Sequence, residues 1–481
     1  MLNVVPVGAA TPSVPATVSA SNWTVGNTPA LAEGDLFGVS CVNASFCVAV
    51  GQQRPGPVPL MEQWDGSSWT VMSNSPPAGS SELAAVSCSS TTSCVAVGGA
   101  GTGTLVEQWN GTAWSVVDSP DATGATSTYL MGVSCTGATF CKAVGQAYFG
   151  SSTYTPVALS FNGTTWTLDA PPNPTGGGFL NAVSCTASIA STTCMAVGTS
   201  GGGDLGLTEL WNGSAWTVVP NPNPTGQTSV ELNAVSCIGP SWCMAAGEGF
   251  GSTTYQTLFE VWNGAAWTIV ASPNAGSDSN HLQGIDCFSA TSCSAVGYTS
   301  PSAGDSTESL VWNGVTWALA TTPDQQGATD TRLDAVSCIT DWQCVAAGTG
   351  TTGTPSPFVV SAPIARSGYR FVASDGGVFS YGNGAPFLGS MGGSPLNQPI
   401  VGMAVMPAGD GYYLVASDGG IFNYGSAKFY GSTGGMHLNA PVVGMAVTAD
   451  GAGYWLVASD GGIFSYGDAQ FYGSTGSIHL N

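Results

Sequence analysis

The chain has 481 residues, with 28 Asp and Glu against six Lys and Arg, for a net charge of -22. Charged residues are only 7% of it, where a typical soluble domain carries about 25%, and the 43% of hydrophobic residues sets it apart from an acidic disordered tail. Nucleic acid is excluded as a partner, because a phosphate-binding surface needs a basic footprint.

The first twenty residues, MLNVVPVGAATPSVPATVSA, have no basic start and are interrupted three times by Pro. They do not read as a signal peptide, and residues 1–19 are expected to be disordered. No stretch approaches the roughly 20 uninterrupted apolar residues of a membrane span, so no membrane insertion is expected. The cysteines nevertheless speak for an oxidising compartment. All 14 fall into local pairs: Cys41 and Cys47, Cys88 and Cys94, Cys135 and Cys141, Cys185 and Cys194, Cys237 and Cys243, Cys287 and Cys293, and Cys338 and Cys344. Seven matched pairs without an orphan favour disulfides over buried thiols and suggest a secreted or surface protein whose export leader lies outside this sequence.

The pairs recur at steps of 47, 47, 50, 52, 50 and 51 residues, a blade-sized period. Each unit reads L-x-x-V-S-C, a short loop, C-x-A-V-G, a variable loop, then L-x-E-x-W-N-G-x-x-W-T-V-V. The third runs Leu130 to Cys135, Cys141 to Gly145, Leu159 to Gly163 and Trp166 to Asp169. Short apolar runs rich in Val and Trp, bounded by Gly, Asn, Ser and Pro, predict four strands per unit. Strands three and four meet at Asp65-Gly66, Asn110-Gly111, Asn162-Gly163, Asn212-Gly213, Asn263-Gly264 and Asn313-Gly314, marking reversals longer than two residues. Each cysteine pair then mainly staples the first hairpin of its unit and does not link blades.

The seventh unit lacks a W-N-G-x-x-W segment after Pro357-Phe-Val-Val-Ser361, while Ser21-Asn-Trp-Thr-Val25 supplies one at the other end. Such an offset is what ring closure requires, since the N-terminal strand completes the last blade and hides two sheet edges. The expected fold is all-β: a seven-bladed β-propeller of four-stranded blades over 20–363, with an open solenoid as the alternative.

A second repeat fills 364–481. Gly368-Tyr-Arg-Phe-Val-Ala-Ser-Asp-Gly-Gly377 returns as Gly411 to Gly420 and as Gly453 to Gly462. Four short strands per copy are expected, giving an incomplete set of three propeller-like blades. The last copy stops at His479-Leu480-Asn481, which suggests truncation; otherwise self-association through the incomplete repeats would complete the arc. The segment GYWLVASDGGIFSYGDAQFYGSTGSIHLN resembles a tandem repeat of secreted or cell-surface proteins from actinobacteria. The resemblance covers about 115 residues. It implies a propeller blade attached to varied modules, and it carries no catalytic residues.

Catalytic constellations are scarce. Glu62, Glu107, Glu209 and Glu260 each lie two residues before a Trp and share its strand face. Leu159 and Leu310 stand in that place in two units, so the repeated Glu reads as blade packing or backbone bonding. Both Trp residues of the turn read as inter-blade core. His281, His437 and His479 are the only imidazoles, and no G-x-S-x-G elbow occurs, so a serine triad is not expected. The cysteines lack neighbouring His for a transition-metal site, and Asp375, Asp418 and Asp460 offer one turn carboxylate each, too few for Ca²⁺. No catalytic residue, metal or cofactor is assigned.

Binding is better supported. The loops between strands two and three share one propeller rim with the blade connections and carry Tyr129, Tyr148, Phe149, Tyr154, Phe250, Tyr255 and Tyr298. Aromatic rings among Gly, Ser and Thr suit the apolar face of a sugar, and Tyr also serves protein interfaces. Trp242 and Trp342, on the opposite rim, are weaker candidates. The expectation is a non-catalytic binding protein for an extracellular glycan or cell-wall polymer. A scaffold for a surface protein is the first alternative, and a polysaccharide hydrolase or lyase with two converging carboxylates the second.

Overall fold

The computed structural model describes residues 23–26, 28–29, 33–74, 77, 79–150, 153–187, 192–201, 205–251, 253–340, 343–363, 369–381, 387–406, 411–448 and 451–476. Segment 1–19, Trp342 and His479-Leu480-Asn481 lie outside these residues. The chain divides into two units, 1–365 and 366–481. Among the described residues all regular structure is β-strand.

In the first unit the cysteine-bearing segments form the innermost strands of seven antiparallel four-stranded sheets. They are Gly34–Asn43, Ser81–Ser90, Ser127–Gly137, Gly178–Ala187, Ser229–Gly239, Ser279–Ser289 and Asp330–Thr340. Each lies beside the next, and the seventh lies beside the first, so the sheets are blades around one axis. The seventh blade takes its outermost strand from the start of the chain: Thr24 pairs with Ser361 and Val25 with Val360. This is a closed seven-bladed β-propeller. Its second strands, such as Phe46–Gln53, are buried on both faces because both faces meet a neighbouring blade.

The repeated words each have a physical cause. Every innermost strand bulges beside its leucine, as at Leu36/Gly38. The bulge drives a carbonyl onto the glycine of C-x-A-V-G: a Cβ on Gly51 would overlap the oxygen of Asp35, and Gly98, Gly145, Gly198, Gly247, Gly297 and Gly348 are placed alike. The serine of V-S-C accepts a hydrogen bond from the first cysteine amide of the next blade. Ser40 takes Cys88, Ser87 takes Cys135, Ser134 takes Cys185, Ser184 takes Cys237 and Ser236 takes Cys287, all at 2.9–3.0 Å. Asp286 replaces serine toward Cys338 at 2.7 Å. At the Asn-Gly turns the asparagine side chain holds the chain, as Asn110 Oδ1 accepts from the amides of Thr112 and Ala113 at 2.9 and 3.0 Å.

All fourteen cysteines form the hairpin disulfides expected from their spacing, each within one blade. Cys41 is bonded to Cys47, Cys88 to Cys94, Cys135 to Cys141 and Cys185 to Cys194. Cys237 is bonded to Cys243, Cys287 to Cys293 and Cys338 to Cys344, and no free cysteine is present among the described residues. Closing so short a loop contributes about 2 kcal/mol in the chain-entropy account. Seven such bonds belong to an oxidising environment.

The bonds staple hairpins and do not link blades, as expected, and their sulfurs also pack between blades. The second cysteine of each pair, at Cys47, Cys94, Cys141, Cys194, Cys243, Cys293 and Cys344, is buried. It belongs to the apolar cluster that fills the seam toward the preceding blade. Cys47 clusters with Val345 and Ala347 of blade seven, Cys94 with Val48 of blade one and Cys141 with Val95 of blade two. Cys194 clusters with Val144, Cys243 with Met195, Cys293 with Met244 and Cys344 with Val296 in the same way. The Ser294 hydroxyl of blade six lies 3.5 Å from the Cys344 sulfur of blade seven. The cause is position: these cysteines open the second strand, which blades enclose on both sides, so the sulfurs serve as seam core as well as staples.

Both tryptophans of a turn meet the seam clusters as expected, but in most blades they differ in depth, with Trp262 of blade five buried like Trp267. The second, at Trp69, Trp114, Trp166, Trp216, Trp267 and Trp317, is buried, with Trp23 as the seventh, and it fills the seam toward the preceding blade. Trp114 Nε1 reaches the Met72 sulfur across that seam, and the Trp317 ring stacks 3.8 Å from Phe259. The first, at Trp64, Trp109 and Trp312, is only half-buried and donates its N–H to a carbonyl of the first hairpin at 3.0–3.1 Å. It clamps two turns of one blade together.

The second unit holds a two-stranded sheet, Tyr369–Val372 with Val378–Tyr381, and two three-stranded sheets. These are Ile400–Val405, Gly411–Ala416 and Ile421–Gly425, then Val442–Val447, Gly453–Ala458 and Ile463–Gly467. The fourth strand expected in each copy does not form among the described residues. The A-x-F-Y-G-S stretch instead turns at a glycine, Gly431 at φ +136°, a conformation no strand adopts. The Asp-Gly-Gly segments are turns: Asp375, Asp418 and Asp460 each accept the amide two residues on, at 2.9 Å.

Candidate functional site

The propeller brings most of the aromatic candidates to one rim, at strand ends rather than in the loops expected to carry them. Only Phe149 lies in a loop, where it is exposed. Tyr148 and Tyr154 face each other across the second and third strands of blade three, with ring centres 5.7 Å apart. Tyr154 then meets the edge of Phe179 in blade four at 6.4 Å. In blade five, Phe250 pairs with Tyr255 in the same way, at 4.9 Å.

From Tyr255 the contacts continue around the ring. The His281 imidazole lies 5.0 Å from Tyr255 and 4.8 Å from Tyr298, and the Arg332 guanidinium lies 4.6 Å from the Tyr298 ring. Phe250, Tyr255, His281, Tyr298 and Arg332 thus form one continuous run over blades five to seven. Two carboxylates fix it: Glu248 holds His281 Nδ1 at 2.8 Å, and Asp305 pairs with Arg332. Burial pushes the Tyr298 hydroxyl up to about 12 against the pull of Arg332, so it stays a neutral donor. Tyr129 stands apart from both runs. Its hydroxyl donates to Glu82 at 2.9 Å, and burial and that carboxylate raise its pKa.

The second feature is the axial channel, which sequence reasoning missed. It encloses about 170 Å³ and is lined by the residues after the leucine of each innermost strand. One ring of these is small throughout, Gly38, Ala85, Gly132, Ala182, Ala234, Gly284 and Ala335, because neighbouring strands nearly touch there. A Cβ on Gly132 would stand 2.9 Å from the Ala182 Cα. A second ring varies: Phe37, Ala84 and Met131 make an apolar arc, and Asn181, Asn233, Gln283 and Asp334 a polar one, while a third ring is Val or Ile throughout. Asn181 and Asn233 donate to the carbonyls of Leu232 and Leu282 at 3.1 and 3.0 Å. Burial pushes the Asp334 carboxyl up to about 7, with Arg332 pulling it down and Asp35 pushing it further up. The available signal was a position that changes chemistry from unit to unit inside a nearly constant L-x-x-V-S-C.

The repeated glutamates take no part in either feature. Glu62, Glu107, Glu209 and Glu260 are fully buried in the seams between blades. The backbone bonding considered for them is not what holds them: Glu62 and Glu209 have no hydrogen-bond partner among the described residues, and Glu260 has only Asn221 at 3.5 Å. Among the described residues, no cluster of His, Cys, Asp and Glu is placed to hold a metal ion, and no helix is long and apolar enough to cross a membrane.

Fold and rim together define a disulfide-stapled β-propeller with an aromatic arc on one face. No known protein family matches the sequence, and no curated protein does. Among solved structures the chain is similar to YCF48 from Cyanidioschyzon merolae, at 16% identity over 72% of this chain and 98% of that one, with a TM-score of 0.43. It is similar to the RRP9 WD40 repeats at 10% identity over 72% and 99%, TM-score 0.47. The GH74 enzyme of Niastella koreensis matches at 13% identity over 94% and 74%, TM-score 0.46. Likenesses this distant speak to neither activity nor partner.

Proposed function

We propose that this is a secreted or cell-surface, non-catalytic protein whose propeller rim binds an extracellular glycan or cell-wall polymer. The observation that carries this reading is the unbroken run Phe250–Tyr255–His281–Tyr298–Arg332, with Tyr148, Tyr154 and Phe179 forming a second run on the same rim. Rings fixed against one another lose little freedom when a sugar stacks on them, and Glu248 and Asp305 supply directional acceptors beside them. The seven disulfides suit an extracellular setting, and the resemblance of the C-terminal repeat to surface proteins of actinobacteria points the same way. Anionic polymers are expected to bind poorly to so acidic a chain unless divalent ions bridge them.

A scaffold for a protein partner is the second reading, and the axial channel favours it. Gln283 and Asp334 put polar side chains along the channel wall. The deciding experiment is co-sedimentation of the oxidised protein with insoluble polysaccharides and bacterial cell walls, with reducing sugar measured in the same tubes. Saturable binding that is lost in Tyr154→Ala and Tyr255→Ala supports the glycan reading. Released sugar would establish the hydrolase instead, and absence of binding by correctly folded protein leaves the scaffold.

A further inference from the structure

The second unit joins successive repeats in one way, twice. The Tyr412 hydroxyl donates to the Gly389 carbonyl at 2.5 Å and accepts the Leu388 amide at 3.2 Å. One repeat later, Tyr454 donates to Gly431 at 2.6 Å and accepts the Tyr430 amide at 3.1 Å. Both glycines have φ of +136°, and a Cβ on either would run into the ring of a second tyrosine, Tyr424 or Tyr466. Each joint is therefore a socket of two tyrosines, with ring centres 5.5 and 5.7 Å apart, filled by a glycine plug from the preceding repeat. Tyr412 and Tyr454 are wholly buried by it.

The same parts recur a third time without a mate among the described residues. Tyr369 and Tyr381 occupy the socket positions of the first repeat, already 5.4 Å apart, yet they are 59% and 51% exposed. Phe371 and Phe379 extend the same bare face. In the third repeat Gly473 occupies the plug position, at φ +121°, with nothing among the described residues within 4 Å of where its Cβ would be. Its neighbour Tyr472 is 84% exposed. A preformed socket and a preformed plug of matching chemistry thus stand at opposite ends of one array.

We propose that the Phe471–Ser474 plug of one copy seats in the Tyr369–Tyr381 socket of a second copy. The contact is head-to-tail, so it closes between two copies or continues into a longer assembly. It uses the geometry that the unit already forms between its own repeats. The glycine is required because a side chain there meets the socket ring.

The test is the mass of the full 481-residue chain by light scattering across a dilution series, for three proteins and one mixture. The unaltered chain is expected to reach at least twice its monomer mass as concentration rises. Tyr381→Glu, which spoils the socket, and Gly473→Ala, which spoils the plug, are each expected to stay monomeric. Mixed in equal amounts they should form a heterodimer and nothing larger, because one intact socket then meets one intact plug. That rescue also shows that both variants are folded. An unaltered chain that is monomeric throughout, variants that associate as it does, or a mixture that fails to pair would each overturn the proposal.

Discussion

The Cys41 amide donates to the Ser337 hydroxyl at 3.0 Å, although 296 residues separate them. It is the seventh bond of a circle in which each blade's V-S-C side chain accepts from the next blade's cysteine amide. This one joins the last blade to the first. The strand exchange at Thr24 and Val25 closes the outside of the ring, and the Cys41–Ser337 bond closes the inside.

Ser337→Ala leaves the Cys41 amide without its acceptor, which costs about 1–2 kcal/mol for a partly buried donor. Asp286→Ser, by contrast, restores the residue found at the other six positions. It removes a carboxyl whose pKa is raised by burial despite its bonds to Cys338 and Ser236. Urea unfolding of the two variants is expected to show a lower midpoint for the first and an equal or higher one for the second. Equal midpoints for Ser337→Ala and the unaltered protein would mean the circle contributes nothing.

Blade three holds a buried ion pair where its neighbours are apolar. Lys142 Nζ meets Asp169 at 2.5 Å, lies 3.3 Å from the centre of the Trp211 ring and is fully buried. Asp169 also accepts from Trp216 Nε1 at 3.0 Å. Removing one partner strands a buried charge, so Lys142→Val alone is expected to cost about 3–5 kcal/mol. Blade one solves the same positions with Val48 and Met72. The pair of changes Lys142→Val with Asp169→Met is expected to recover most of that loss, measured as the coupling term of a double-mutant cycle. Additive losses would show that the pair is not the relevant interaction.

Much of the propeller was legible because its repeats are controls for one another. Seven cysteine pairs and the misplaced Trp23 strand give both the blade count and the closure, since only a ring accounts for a unit split between the two ends. The meaning of the Ser in V-S-C was not legible, because its partner lies in the next blade and no local spacing shows a bond between blades. The place of Cys47 or Cys344 in a seam was hidden for the same reason, although each disulfide partner could be read from the spacing. The channel stayed hidden too: Phe37 and Asp334 are neighbours only once the ring has closed. The aromatic candidates could be named from composition. Their order around the rim could not, and nothing local to His281 shows that it lies between Tyr255 and Tyr298. In the second unit the plug segments look like strands by their residues, and only the left-handed glycine reveals a joint.

The seam glutamates make stability fall with rising pH. Burial pushes Glu62 and Glu107 up to about 7 and Glu209 and Glu260 up to about 8, whereas the unfolded chain ionises them near 4.3. The native state therefore holds protons that the unfolded state has released. Its stability from these groups is full below about pH 4.3 and is lost as pH rises through 7 to 8. Each group changes stability by about 4–5 kcal/mol across that interval. Leu159 and Leu310 show that the site accepts an apolar side chain. Glu209→Leu is expected to match the unaltered protein near pH 5 and to exceed it clearly above pH 8, in unfolding free energies measured at both values. A variant whose advantage does not grow with pH would show that Glu209 is not buried as a neutral acid.

The closure itself rests on a short element. Trp23 is buried between blades six and seven, and only Thr24 and Val25 follow it in the strand. Trp23→Ala opens a cavity of the kind that costs about 3–5 kcal/mol in a core. The equivalent change at Trp114 empties a similar seam but leaves that blade's strand order continuous along the chain. The two variants should lose similar stability and differ in where the fold opens. Hydrogen exchange in Trp23→Ala is expected to rise first at Val359–Ser361, the edge that Thr24 and Val25 cover, while Trp114→Ala leaves that segment protected. Trp23→Ala should also associate through the exposed edge at high concentration. Uniform exchange in both variants would show that the ring opens as one unit and that the N-terminal strand is no weak point.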